Sequence, residues 1–163
     1  MEKKVSFRFD VDTINCIKNG IPKLVDISKK YNIEFSFFMN FGRSIDRREV
    51  FKRKNTSNLL PNHKISTISK LGLINFLITL LINPRLSSYK NSIEYMAKSN
   101  NEIGLHGGFN HGTWQVKGAS FDLIRLEKEI DFGMKNGKKF NLDFSGFTSP
   151  GWTSNKLISD LLI

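Results

Sequence analysis

The stretch Val5-Ser-Phe-Arg-Phe-Asp10-Val-Asp12-Thr13 begins as an apolar-rich run and ends in two carboxylates two positions apart. Residues 5–9 read as a β-strand, because Val and Phe suit a pleated, half-buried surface. Side chains two apart in extended chain point the same way, so Asp10 and Asp12 can face one pocket where the strand runs out. Like charges that close repel unless a cation lies between them or one takes a proton. The competing reading is a turn with two solvated aspartates.

Outward from this stretch, strand and helix signals alternate. Pro22 suits the first turn of a helix running to about Lys30. The aromatic-rich run Glu34-Phe-Ser-Phe-Phe-Met39 reads as a second strand. Residues 91–98 read as a helix and 102–106 as a short strand. Ser120 is the expected cap of a helix reaching about Lys135 and ended by Gly137, followed by a strand at 144–148 and a helix at 153–162. The alternation predicts an α/β fold with a largely parallel sheet. A chain of 163 residues fills one domain, short of the ~200 residues or more of a closed (β/α) barrel.

Composition narrows the function classes. With 39% apolar and 25% charged residues, wholesale disorder is excluded. Lys+Arg 25 against Asp+Glu 15 gives +10, which favours anionic partners. The lone Cys16 fits a reducing compartment, and the first ten residues hold no apolar run of signal-peptide length, so a cytoplasmic location is expected. Positions 50–93 carry seven basic residues (Lys52, Arg53, Lys54, Lys64, Lys70, Arg85 and Lys90) and no acid. Within them lies Leu71-Gly-Leu-Ile-Asn-Phe-Leu-Ile-Thr-Leu-Leu-Ile-Asn83. As a helix this run is about 20 Å long, too short for a hydrocarbon core of ~30 Å. Its non-apolar positions, Gly72, Asn75, Thr79 and Asn83, form one narrow stripe. Such a helix is either buried in the protein or laid into a membrane interface, with nearby cations at the lipid phosphates. Peripheral contact with an anionic membrane through about 50–93, at the inner face, is the expectation. Nucleic acid is not an expected partner, because no basic surface interleaved with aromatics supports it.

Two further clusters fall at predicted strand ends, where α/β folds place their ligands. His106-Gly-Gly-Phe-Asn110-His111 brings two imidazoles within six residues. A regular helix would set them ~140° apart, but paired glycines let the chain fold back. In Thr148-Ser-Pro150-Gly151-Trp152, Pro-Gly marks a turn and the indole can wall a pocket. One carboxylate with two imidazoles fills three positions of a catalytic zinc site and leaves a fourth for water, with the other carboxylate free to act as a base.

Arg8-Phe-Asp-Val-Asp-Thr13, His106-Gly-Gly-Phe-Asn-His111 and Ser149-Pro-Gly-Trp152, in that order, resemble the first three motifs of the polysaccharide deacetylases, the NodB-homology esterases. Gly20-Ile-Pro-Lys-Leu-Val25, Ser36-Phe-Phe-Met-Asn-Phe-Gly42 and Trp114-Gln115 look like the branch that deformylates 4-formamido-arabinose on undecaprenyl phosphate. The resemblance implies a partial, distorted (β/α) barrel over residues 1–163, with a basic apolar insertion at about 43–98. It implies a divalent cation, zinc by preference, held by Asp12, His106 and a second imidazole, with Asp10 as the general base. The usual spacing puts that imidazole at Asn110; His111, one further on, is the expected ligand and Asn110 the alternative. Arg8, Trp114, Pro150, Gly151 and Trp152 are expected to line the substrate pocket. Thr148 stands where many deacetylases carry an Arg. The family's later motifs, including the histidine that protonates the leaving amine, have no counterpart before Ile163, so the resemblance implies a chain that stops partway round the barrel. The implied activity is removal of formyl or acetyl from an amino sugar on a polyprenyl phosphate. The alternatives are deacetylation of soluble or polymeric N-acetyl sugars, or membrane or partner binding without turnover.

Overall fold

The computed structural model describes residues 5–48 and 71–162. Four parallel strands, β1 (Arg8–Val11), β2 (Ser36–Met39), β3 (Glu102–His106) and β4 (Phe147–Thr148), lie side by side in chain order. Parallel neighbours need crossovers, and helices supply them. After β1, a five-residue π-helical turn (Cys16–Gly20) runs directly into α1 (Ile21–Tyr31). Between β2 and β3 stand α2 (Leu73–Leu81) and α3 (Lys90–Ala97). Between β3 and β4 stand α4 (His111–Lys117) and α5 (Leu123–Lys138), and α6 (Lys156–Leu162) closes the described chain. The fold is thus mixed α/β on a parallel sheet. The order 1-2-3-4 has no reversal, unlike a doubly wound sheet. Among the described residues these strands form an open sheet, and the barrel implied by the motifs is not shown by them.

Strand register sorts the side chains onto two faces. Val11, Phe37, Met39, Ile103 and Leu105 are buried against Ile14, Ile17, Ile21, Val25, Ile93 and Met96. Edge-to-face contacts of Phe35 with Phe9 and Phe37 tighten this core. On the opposite face the pairings Asp10↔Phe38↔Gly104 and Arg8↔Ser36↔Glu102 bring polar and aromatic groups together. There Ser36 donates to the Glu102 carboxylate at 2.6 Å. The Phe38 ring covers Gly104, where a Cβ would lie 2.3 Å from it.

Several element bounds differ from the sequence expectation, each for a local reason. β1 begins three residues later and ends two later than the expected 5–9, because the ladder with β2 runs through Asp10 to the pair Val11↔Met39. The cap of α5 is Asp122, whose side chain accepts from Arg125 N at 2.7 Å. Ser120 instead sits in a 3₁₀ turn, its hydroxyl on the Lys117 carbonyl. Gly137 lies inside α5, because the Phe144 ring occupies the space a Cβ would need (2.3 Å).

The apolar run after Leu71 does form a helix, and the later half of its polar stripe, Thr79 and Asn83, faces inward. Thr79 is fully buried and Asn83 nearly so, while Leu73, Ile74, Leu77, Leu81 and Ile82 are exposed. Arg47 donates to the Leu81 carbonyl at 2.9 Å and Arg43 to the Asn83 carbonyl at 3.2 Å, cations at the negative end of the helix dipole. Among the described residues no helix is long and apolar enough to cross a membrane. Lys52, Arg53, Lys54, Lys64 and Lys70 lie outside the described residues.

Candidate metal centre

The carboxyl ends of β1 and β3 deliver the chemistry. Asp10 is the third residue of β1, Asp12 follows its end, and His106 is the last residue of β3. His111 opens α4. The loop between the two histidines turns tightly at its paired glycines. Gly107 has φ +74°, a left-handed conformation that L side chains rarely adopt, and a Cβ there would lie 2.6 Å from the Pro150 ring. At Gly108 a Cβ would lie 2.3 Å from the Glu129 carbonyl oxygen.

One donor atom from each of Asp12, His106 and His111 lies within 4.8 Å of the other two. His111 Nε2 is 3.4 Å from Asp12 Oδ2, and the two imidazole centroids are 5.1 Å apart. Donors around one tetrahedral zinc stand about 3.5 Å apart, given bonds near 2 Å, so this set has the spacing and chemistry to take a divalent cation. Both imidazoles are buried. His106 Nδ1 lies 3.0 Å from the Thr148 carbonyl and 2.7 Å from its hydroxyl. A carbonyl can only accept, so Nδ1 carries the proton and Nε2 presents its lone pair, the form a metal requires. Burial, and then the neighbouring His111, lower the His106 pKa to about 4, so it is neutral at pH 7.

Asn110 does different work. Its side-chain oxygen accepts from Thr113 N at 3.1 Å, capping the helix that begins with His111, and its amide donates to the Ile45 carbonyl at 3.0 Å. The cluster contains His111, and the Asn110 amide is committed to holding that helix start.

Asp10 stands beside the cluster. Arg8 Nε and Nη2 each donate to one of its oxygens at 2.9 Å. Burial pushes the Asp10 pKa up, but the Arg8 hydrogen bonds and the nearby imidazoles outweigh it and hold the carboxyl below its ordinary range. The Arg8 guanidinium lies between two rings, 5.1 Å from the Phe38 centroid and 4.9 Å from that of Trp152.

The expected pocket residues divide. Trp152 is 77% exposed, directly after Gly151 in a 3₁₀ turn with Pro150, and its ring meets the Arg8 guanidinium. Pro150 is buried and packs toward Gly107. Trp114, expected at the pocket wall, is fully buried in a second core with Leu126 and Ile158, its indole N–H donating to the Thr153 carbonyl at 3.1 Å. A side chain so enclosed supports the loops and reaches no ligand.

Two supporting residues escaped sequence reasoning. Thr148 orients His106 through the strand pairing His106↔Thr148, a partnership that no local signal announces. Glu129 is completely buried, accepts from Phe109 N in the loop between the histidines, and pairs with Arg125. The i,i+4 spacing of Arg125 and Glu129 is visible in sequence, but it reads as an ordinary surface pair. Burial, only partly offset by the Phe109 N–H and Arg125, raises the Glu129 pKa.

Fold and site together define a parallel α/β protein with a carboxylate–imidazole cluster at its strand ends. The chain is similar to a protein of Shewanella sediminis (strain HAW-EB3) named "Probable 4-deoxy-4-formamido-L-arabinose-phosphoundecaprenol deformylase ArnD", 31% identical over 133 residues, which is 80% of this chain and 43% of that protein. The chain therefore spans less than half the length of this relative. The likeness runs the same way as the motif resemblance to deacetylases. No family model matches the chain.

Proposed function

We propose that the chain carries the metal- and base-bearing part of an amide hydrolase that removes a formyl or acetyl group from an amino sugar held on a polyprenyl phosphate. The observation that carries this reading is the juxtaposition of the Asp12, His106 and His111 donors with the tethered carboxylate of Asp10. The name of the Shewanella protein supports the formamido sugar and the lipid carrier.

Asp12, His106 and His111 would hold the cation, which supplies Lewis acidity and a lowered pKa for a coordinated water. The rest of the chemistry falls to the chain. Arg8 occupies one lone pair on each Asp10 oxygen, and the remaining lone pairs can take the proton of a water adding to the amide carbon. Once protonated, Asp10 is the described group able to return that proton to the departing amine.

The exposed face of α2 supports contact with a lipid surface. Leu73, Ile74, Leu77, Leu81 and Ile82 face outward, with Arg85 three positions past Ile82 and Arg47 donating to the Leu81 carbonyl. That arrangement inverts an ordinary surface helix, whose polar residues face water. A cationic, apolar flank at the protein's periphery would suit a substrate anchored by a long apolar tail and a phosphate.

The test is release of formate from a 4-formamido-arabinose phosphate on a short polyprenyl carrier, followed with zinc present. Turnover by wild type that is lost in Asp10→Asn supports the proposal. Release of acetate from soluble N-acetyl sugars, with none from the lipid-linked sugar, would move the substrate to the soluble class. Tight zinc binding without any turnover would favour the reading of a chain that binds but does not catalyse.

A further inference from the structure

Immediately after the metal-type carboxylate, the chain makes an uncommon turn. The π-helical segment Cys16–Gly20 begins four residues past Asp12, and such turns are rare and concentrate at functional sites. Thr13 shapes its start: the Thr13 hydroxyl oxygen accepts from Cys16 N at 3.1 Å, and the hydroxyl lies 3.0 Å from Cys16 Sγ. The thiol is thereby turned back along the chain, and its Sγ stands 3.7 Å from Asp12 Oδ1 as donor. The other oxygen, Oδ2, is the one 3.4 Å from His111 Nε2. The two oxygens of one carboxylate thus have separate duties, one facing the thiol and one facing the imidazole.

We propose that Cys16 is a positioning residue: its S–H fixes the rotation of the Asp12 carboxylate so that Oδ2 is presented to the cation shared with His106 and His111. This rests on the reading of those three residues as the metal ligands. Nothing in the resemblance assigns a role to position 16, and the cluster of close donor atoms comprises Asp12, His106 and His111 without the sulfur. Carboxylate ligands are commonly held by hydrogen bonds from outside the metal's own ligands, and loss of such a partner weakens affinity 10–100-fold. A thiol is a weak donor, so the effect belongs at the lower end of that range.

The test measures zinc affinity of the full chain by competition with a chromophoric chelator, for wild type, Cys16→Val and Cys16→Ala. Valine fills the space of the thiol without a donor, and alanine serves if valine perturbs folding. The expected result is about tenfold weaker zinc binding in either variant, with the melting temperature of the chelator-treated protein within a few degrees of wild type. A merely structural cysteine would lower that melting temperature and leave affinity alone. Cobalt(II) loading adds a second readout: wild type should show no intense near-ultraviolet thiolate-to-cobalt band. Unchanged zinc affinity in both variants, or the presence of that band, overturns the positioning role while the three-residue site stands. Absence of zinc binding in wild type overturns both.

Discussion

Acidification of the metal-free protein is the perturbation whose size the structure sets most directly. His106 is 2% exposed, and burial followed by the proximity of His111 lowers its pKa from 6.5 to about 4. In the unfolded chain the same imidazole takes its proton near pH 6.5. Between the two values the unfolded state binds more protons, so native stability rises with pH across that window and falls on acidification through it. The displacement corresponds to about 3 kcal/mol, fully present above pH 6.5 and lost by about pH 4. In a domain of this size that is roughly 10 °C of melting temperature. The assay is a series of thermal melts in chelator at pH 7.5, 6.5, 5.5 and 4.5, for wild type and His106→Gln. Glutamine keeps an N–H for the Thr148 carbonyl but takes no charge, so its curve should fall less steeply by roughly 10 °C over the series. Parallel curves for the two proteins would refute the claim that a buried, neutral imidazole sits at the end of β3.

Three further outcomes follow from the loop and the exposed helix. Glu129→Ala leaves the Phe109 N–H without its acceptor and should cost about 2 kcal/mol by chemical denaturation, while Glu129→Gln, which keeps an acceptor, loses less than half of that. Gly108→Ala drives a Cβ against the Glu129 carbonyl and should destabilise by about 3 kcal/mol and weaken zinc binding with it, read by melts and by metal titration. For α2, Leu77→Ser with Leu81→Ser should weaken co-sedimentation with anionic phospholipid vesicles by about 2 kcal/mol, roughly thirtyfold, and leave the melting temperature unchanged. Equal sedimentation of variant and wild type would remove the lipid contact.

Strand–helix alternation and the three motif clusters were legible in sequence because each rests on local chemistry. Paired aspartates, paired glycines between histidines, and Pro-Gly before an indole are short-range patterns. What stayed hidden depends on partners far along the chain. The pairing of His106 with Thr148 needs the register of β3 and β4, which no window of sequence contains. Trp114 was misplaced because an aromatic beside a site motif gives no sign of which way its helix faces, and here it faces Leu126 and Ile158. The different surroundings of Asn110 and His111 were equally hidden: the side chain that starts α4 accepts from Thr113 N, and the imidazole one position on lies 3.4 Å from Asp12. The run after Leu71 showed its stripe plainly, but sequence alone left its orientation open, and packing put Thr79 and Asn83 inside.

The proposed centre shares one cation among Asp12, just past β1, His106 at the end of β3 and His111 at the start of α4. Equilibrium dialysis against zinc, followed by elemental analysis, tests it without reference to any substrate. One tightly held ion per chain, lost in Asp12→Ala and in His111→Ala, is the predicted result. A chain that retains no zinc, or one whose binding survives both substitutions, would contradict it.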